Sequence, residues 1–269
     1  MTARNVPAAN GIAWLTGAVE LIRKNPAAFL LMGLIVTLIG TLPILGSLVL
    51  AVISPTLYAG IAWAARAQSR GETAELAHLF QGFKEEGRIG PLLILCLPSV
   101  VAGFIAAVLI AIWIGVALAG AGASAILERP EALLGAAGAG ALVLGLVVVA
   151  LMIVVFAVTF FAIPDVVFGE KDAFAAMRRS LHASRDNVGA ILLYLLVLLG
   201  AAILLMAVLS VISSLLGQFV TSILVTPIAG ASMYLAWKDV VGGDTTREAP
   251  ALPEADSAEP PRDGGGMVA

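Results

Sequence analysis

Charge is scarce in this 269-residue chain: 15 basic and 18 acidic residues make up 12% of it, against 60% in the apolar set. A soluble domain carries about 25% charged residues and uses them to cover its surface. The composition therefore excludes an ordinary cytosolic enzyme, and the apolar excess excludes a disordered chain. Cysteine is nearly absent. Cys96 has no intramolecular partner, which excludes a disulfide scaffold and leaves a small apolar packing residue. The two histidines, His78 and His182, lie in separate polar segments, make no zinc motif, and read as polar surface residues. No Gly-rich phosphate loop, H-E-x-x-H or G-x-S-x-G occurs, so neither cofactor nor metal is expected. The long apolar runs contain no Asp, Glu, Lys, Arg or His between their ends. Intramembrane ionisable groups are the usual mark of proton relays, ion coupling and catalysis, so the expectation is a protein that is not an enzyme. Asp165, just after Pro164, reads as a boundary residue.

What the chain has is long apolar runs. A spanning helix needs about 20 such residues to cross about 30 Å of hydrocarbon. Six candidates follow: 26–42, 47–65, 91–120, 138–163, 188–212 and 218–237. The first is short, thin enough to be re-entrant, and Pro43 to Gly46 reads as a turn after it. Pro164 is expected to close the fourth. Residues 1–10 lack the apolar core of a secretory signal, and none is expected. The fold expected is an all-α integral membrane protein with about six transmembrane helices. Residues 1–25 form an N-terminal amphipathic segment, 26–238 the membrane domain, and 239–269 a disordered acidic tail.

The net charge of −3 suggests no attraction to nucleic acid, but it is unevenly spread. The tail holds seven acids and two arginines, a net −5, which leaves +2 for the rest. With six spans, both termini and all polar segments except 121–137 share one side. That side carries 14 basic residues, and the other carries Arg129 alone. The positive-inside rule places both termini in the cytoplasm of a bacterial inner membrane. Each cytoplasmic segment also shows a 3.6-residue apolar period: Ile12, Leu15, Val19 and Ile22; Leu76, Leu79, Phe80 and Phe83; Phe174, Met177 and Leu181. These amphipathic helices can lie among lipid headgroups or pack on the end of the bundle.

Two same-orientation repeats are expected over about 11–66 and 173–238. Arg23-Lys24-Asn25 precedes the first span as Arg185-Asp186-Asn187 precedes the fifth. Ser54-Pro55 and Thr226-Pro227 lie inside the second and sixth. The offset is 162 for the Asn pair and 172 for the Pro pair, so the hairpins differ by about ten residues. Asn25 and Asn187 suit helix N-caps with basic anchors beside them; the other use is headgroup recognition, with Arg23, Lys24, Arg178, Arg179 and Arg185 as contacts. Ser54, Pro55, Thr226 and Pro227 read as packing kinks or, as in some transporters, as paired breaks that mark a substrate site. Ser99, Gly103, Ala107, Ala111, Gly115 and Ala119 form a small-residue stripe, whose simpler use is packing within the fold rather than dimerisation.

Val6-Pro7-Ala8 with Gly11 and Trp14, Arg23-Lys24-Asn25-Pro26, Leu79-Phe80-Gln81-Gly82-Phe83-Lys84 and the segment 175–187 together resemble an uncharacterised family of multi-pass bacterial inner-membrane proteins. That family is distantly similar to the membrane domain fused to some glycerophosphodiester phosphodiesterases. The resemblance covers about residues 4–240 and implies a helical membrane protein without catalytic residues to carry over, since the soluble catalytic barrel is absent. The expected role is accessory or scaffolding, in contact with membrane lipids or a membrane protein partner. The alternative is a transporter or lipid-handling permease with a path near the two proline breaks.

Overall fold

The computed structural model describes residues 3–121, 132–169 and 172–242, which form helices and turns with no strand among them. The acidic tail from 243 onward and the loop holding Arg129 lie outside the described residues, as do the expectations placed on them. The helices are α1 (Asn10–Lys24), α2 (Pro26–Gly40) and α3 (Leu45–Ser69), then a 3-10 helix (Leu76–Phe80), α4 (Gln81–Lys84), α5 (Ile89–Ile94) and α6 (Leu97–Ala121). They continue with α7 (Ala132–Thr159), α8 (Ala162–Phe168), α9 (Ala173–Asp186), α10 (Val188–Ser210) and α11 (Ser214–Val241).

Five stretches are long and apolar enough to cross a bilayer: α3, α5 with α6, most of α7 with α8, α10, and α11. A sixth crossing exists only if α1 and α2 count as one span, and these meet at a bend of 108°. Alone, α2 has 15 residues, about 22 Å at 1.5 Å each, short of the hydrocarbon thickness. Local chemistry sets the joints. Pro26 opens α2 where its missing N–H costs nothing. The Asp172 side chain accepts from the Ala175 amide (2.9 Å) at the start of α9, and Gly242 ends α11 at φ 67°. Two long runs break where none was expected, at Leu95–Cys96 and at Phe160–Phe161. Pro164 does not close the fourth span. It sits in the first turn of α8, where the helix N–H groups lack intrahelical partners anyway.

Helix α11 is the hub, packed against α1, α2, α3, α8 and α10, while α6 and α7 pack chiefly on each other. Two amphipathic segments lie on hairpins, α1 on α10–α11 and the 3-10 helix on α2–α3, while α9 lies on α7 and α8. In α1 and α9 the buried face only partly overlaps the apolar stripe, whereas Leu79 of the 3-10 helix is buried as its period suggests. In α9 the buried residues are Ala173, Ala176, Ser180, Ala183 and Ser184, and Phe174 and Leu181 are exposed. In α1 they are Gly11, Trp14, Leu15, Ala18 and Leu21, with Ile12 and Val19 exposed. Close approach is the reason. A Cβ on Gly11 would collide with the Ala190 carbonyl oxygen of α10, so the small-residue side must face in. The stripe on α6 reverses in the same sense: Gly103, Ala107, Ala111, Gly115 and Ala119 are all exposed, and the fold does not use them for packing.

The core concentrates at one end. Trp14, Phe160, Phe161 and Tyr194 pack together, as do Phe168, Tyr234 and Trp237, with ring centroids 5.0–6.5 Å apart. A second cluster joins Phe29 and Met32 of α2 to Leu57 and Ile61 of α3 and to Leu79.

Candidate functional site

Most polar residues at this aromatic end are used in building it. Asn187 is only 2% exposed. Its Oδ1 accepts the Val6 amide (2.8 Å), and its Nδ2 donates to the carbonyls of Arg4 (3.1 Å) and Ala183 (2.9 Å). The Arg4 amide in turn donates to Val240 O (2.8 Å). Asn25 donates to Ala74 O (2.7 Å). Neither Asn caps the helix that follows it through its side chain, contrary to expectation. Each instead holds an extended segment arriving from elsewhere in the chain, because a carboxamide can satisfy a passing backbone that has no ladder partner.

Asp239, in the last turn of α11, gathers the N-terminus. Its carboxylate accepts from Arg4 (2.7 Å), Asn10 Nδ2 (2.7 Å) and Trp14 Nε1 (3.0 Å).

Asp165 is buried, only 5% exposed. Arg179 donates Nε to its Oδ2 (2.7 Å) and forms the ion pair, and Trp237 Nε1 lies 3.4 Å from Oδ1. Every residue of α8 is buried, and two more arginines reach this helix. Arg88 donates to the Val166 carbonyl, and the Arg66 guanidinium lies over the Phe168 ring, 4.7 Å from its centroid. A paired buried carboxylate of this kind joins elements, because separating it from its arginine leaves an uncompensated charge. The sequence held one signal for it: Asp165 is the acid most deeply set in apolar neighbours, between Ala162 and Phe168.

The other expected contacts divide. Arg23 and Lys24 at the end of α1, and Arg178 and Arg185 on α9, are exposed, and none has an ion-pair partner among the described residues. Helices α1 and α9 share no substantial packing, so these form two basic patches and not one. His78 and His182 are turned to local backbone: the Glu75 amide donates to His78 Nδ1 (2.9 Å), and His182 Nδ1 lies 2.7 Å from Arg178 O. Among the described residues no group of three His, Cys, Asp or Glu could hold a metal.

The two proline breaks also part company. Thr226 and Pro227 are buried, and Pro227 packs at Gly33 of α2. Ser54 and Pro55 instead line an interior cavity of about 260 Å³, shared with Tyr58, Phe160, Tyr194 and Met233. Between α1 and α10 lies a further cleft of about 390 Å³, apolar at Leu15, Val197 and Ala201 and edged by Glu20 and Arg23.

No curated protein and no solved structure matches the chain. A family model, the domain of unknown function DUF7847, matches residues 12–245, from α1 to just past α11, and the chain belongs to that family.

Proposed function

We propose that this is a multi-pass bacterial inner-membrane protein, both termini cytoplasmic, with a non-enzymatic accessory or scaffolding role. Its cytoplasmic face meets anionic lipid or a partner protein through two basic patches, Arg23 with Lys24 and Arg178 with Arg185. The observation that carries this reading is the division of the cations. Arg66, Arg88 and Arg179 are engaged inside the fold and Arg4 is paired at its surface, whereas those four are exposed and unpaired among the described residues. A basic residue near an anionic leaflet contributes about 1 kcal/mol of attraction. The bent α1–α2 pair would be the first of six crossings, with α1 near the headgroup plane, since it stands at 108° to α2. The likeness to the membrane domain fused to glycerophosphodiester phosphodiesterases belongs to this reading at the level of fold.

The repeats belong to it too. Both units run amphipathic helix, Asn, apolar helix, short turn, proline-bearing helix, and α10 (23 residues) exceeds α2 (15 residues) by eight of the ten residues that separate the hairpins.

Reconstitution in vesicles with and without phosphatidylglycerol, with native mass spectrometry of retained lipid, tests the role. Anionic lipid is expected to be retained, less so at high salt, and lost when Arg23, Lys24, Arg178 and Arg185 are all changed to Gln. Equal retention of neutral lipid with no co-purifying protein would overturn it. The lipid-handling permease has support at one of its two breaks, the cavity beside Ser54 and Pro55.

A further inference from the structure

That cavity does not end at Pro55. Its walls include Leu95 and Phe160, at the two unexpected breaks between α5 and α6 and between α7 and α8. A groove of about 400 Å³ runs between α6 and α7, walled by Gly103, Ala106, Val148 and Met152. Ser99, Phe156 and Thr159 line both spaces, which therefore adjoin at these three residues. The outer face of the α6–α7 hairpin is where a bilayer would be, since none of the most apolar stretch of α7 is buried in the protein. Each space is in or near the size range of small-molecule pockets, about 300–1,000 Å³.

The chemistry of the walls narrows the occupant. Among the described residues no charged side chain lines either space. A phosphate or carboxylate drawn in from the bilayer would therefore meet no counter-charge, at heavy cost. The inner end carries hydroxyls. Thr159 donates to Val155 O (2.8 Å), but the Ser54 and Ser99 hydroxyls hydrogen-bond to no described residue. Phe156 and Phe160, with ring centroids 4.6 Å apart, and Tyr194 beside them make an apolar wall.

We propose that the two adjoining spaces open into one path and bind a neutral single-chain amphiphile, of which monoacylglycerol is the simplest. Its chain lies between α6 and α7, and its ester or hydroxyl end hydrogen-bonds to Ser54 and Ser99. The site stands apart from the basic patches, which would take anionic headgroups at the surface.

The test uses the full chain in nanodiscs with two photo-crosslinking probes of identical chain, a monoacylglycerol and a phosphatidylglycerol. The neutral probe is expected to label residues 97–106 and 148–159 at least tenfold more than the anionic one. Gly103→Phe, which fills open space in the groove, is expected to cut that labelling at least tenfold. Ser54→Ala with Ser99→Ala removes two hydrogen bonds and is expected to weaken binding about tenfold. Ile203→Phe, on the exposed face of α10, leaves labelling unchanged. The fourfold Gln variant of the basic patches keeps the labelling too, which separates this site from the surface role. Equal labelling by both probes, labelling elsewhere, or labelling unaffected by the serine pair overturns the proposal. Should Gly103→Phe fail to fold, the serine pair decides alone.

Discussion

Helices α3 and α11 are the least apolar of the long stretches and the most buried, whereas α7 is the most apolar and has none of its central stretch buried. In water the order would be reversed. In the bilayer setting proposed above it follows from the solvent: lipid tails are as apolar as Leu, so burial gains nothing from apolarity alone. Helices then associate through close backbone approach and hydrogen bonds. The central pair has both. Gly60 of α3 sits against the Leu79 backbone, Gly230 of α11 against Ile61, and Ser69 of α3 lies 3.1 Å from the Tyr234 hydroxyl. The α6–α7 hairpin has small residues as well, but a Cβ on Gly103, Gly115 or Gly145 would meet nothing within 4 Å, and the hairpin's ties to the rest run mainly through α9 and α3.

Five substitutions would break or sharpen this contrast. The largest effect is expected for Asp165→Ala, which strips Arg179 of its buried carboxylate. A loss of about 3 kcal/mol or more is expected, read as a lost monodisperse peak or a steep fall in Tm in detergent. A wild-type Tm would mean that α8 is held by packing alone. Next comes a glycine pair. Gly60→Ala would drive a methyl into the Leu79 backbone and is expected to cost about 1–3 kcal/mol. Gly145→Ala, on α7 with nothing nearby, is expected to gain up to about 1 kcal/mol from helix propensity. Equal shifts in Tm for the two would erase the distinction. Asn187→Ala strands the Val6 amide and is expected to cost about 1–3 kcal/mol, with faster hydrogen exchange at Val6 and unchanged exchange in α6. The smallest effect is expected for Ala111→Leu on the exposed face of α6, within about 0.5 kcal/mol by thermal unfolding.

The class of fold was legible because long apolar runs have few other uses. Helix positions were mostly legible too, down to Pro26 at the first position of α2 and the turn before α3. The faces were not. Periodicity gives an axis of amphipathicity but not which side packs, and in α9 the small polar side, with Ser180 and Ser184 donating to Ala157 O, turned inward. The breaks at Leu95 and Phe160 carry no glycine or proline signal at the turn itself, so the cavity between them could not be read from composition. Asn25 and Asn187 showed that their positions matter, but their partners, Ala74 and residues 4–6, are tertiary facts.

The clasp between Arg4 and Asp239 joins residues 235 positions apart, and Asn10 and Trp14 share the same carboxylate. During synthesis α1 therefore emerges long before its principal partners, α10 and α11, exist. Until then its inward face, with Trp14 and Leu21, has nowhere native to go. The membrane surface itself is the natural waiting place for such a helix. Completion of the fold is then a late event, triggered when the last span is delivered and its final turn presents Asp239 to a segment made at the start.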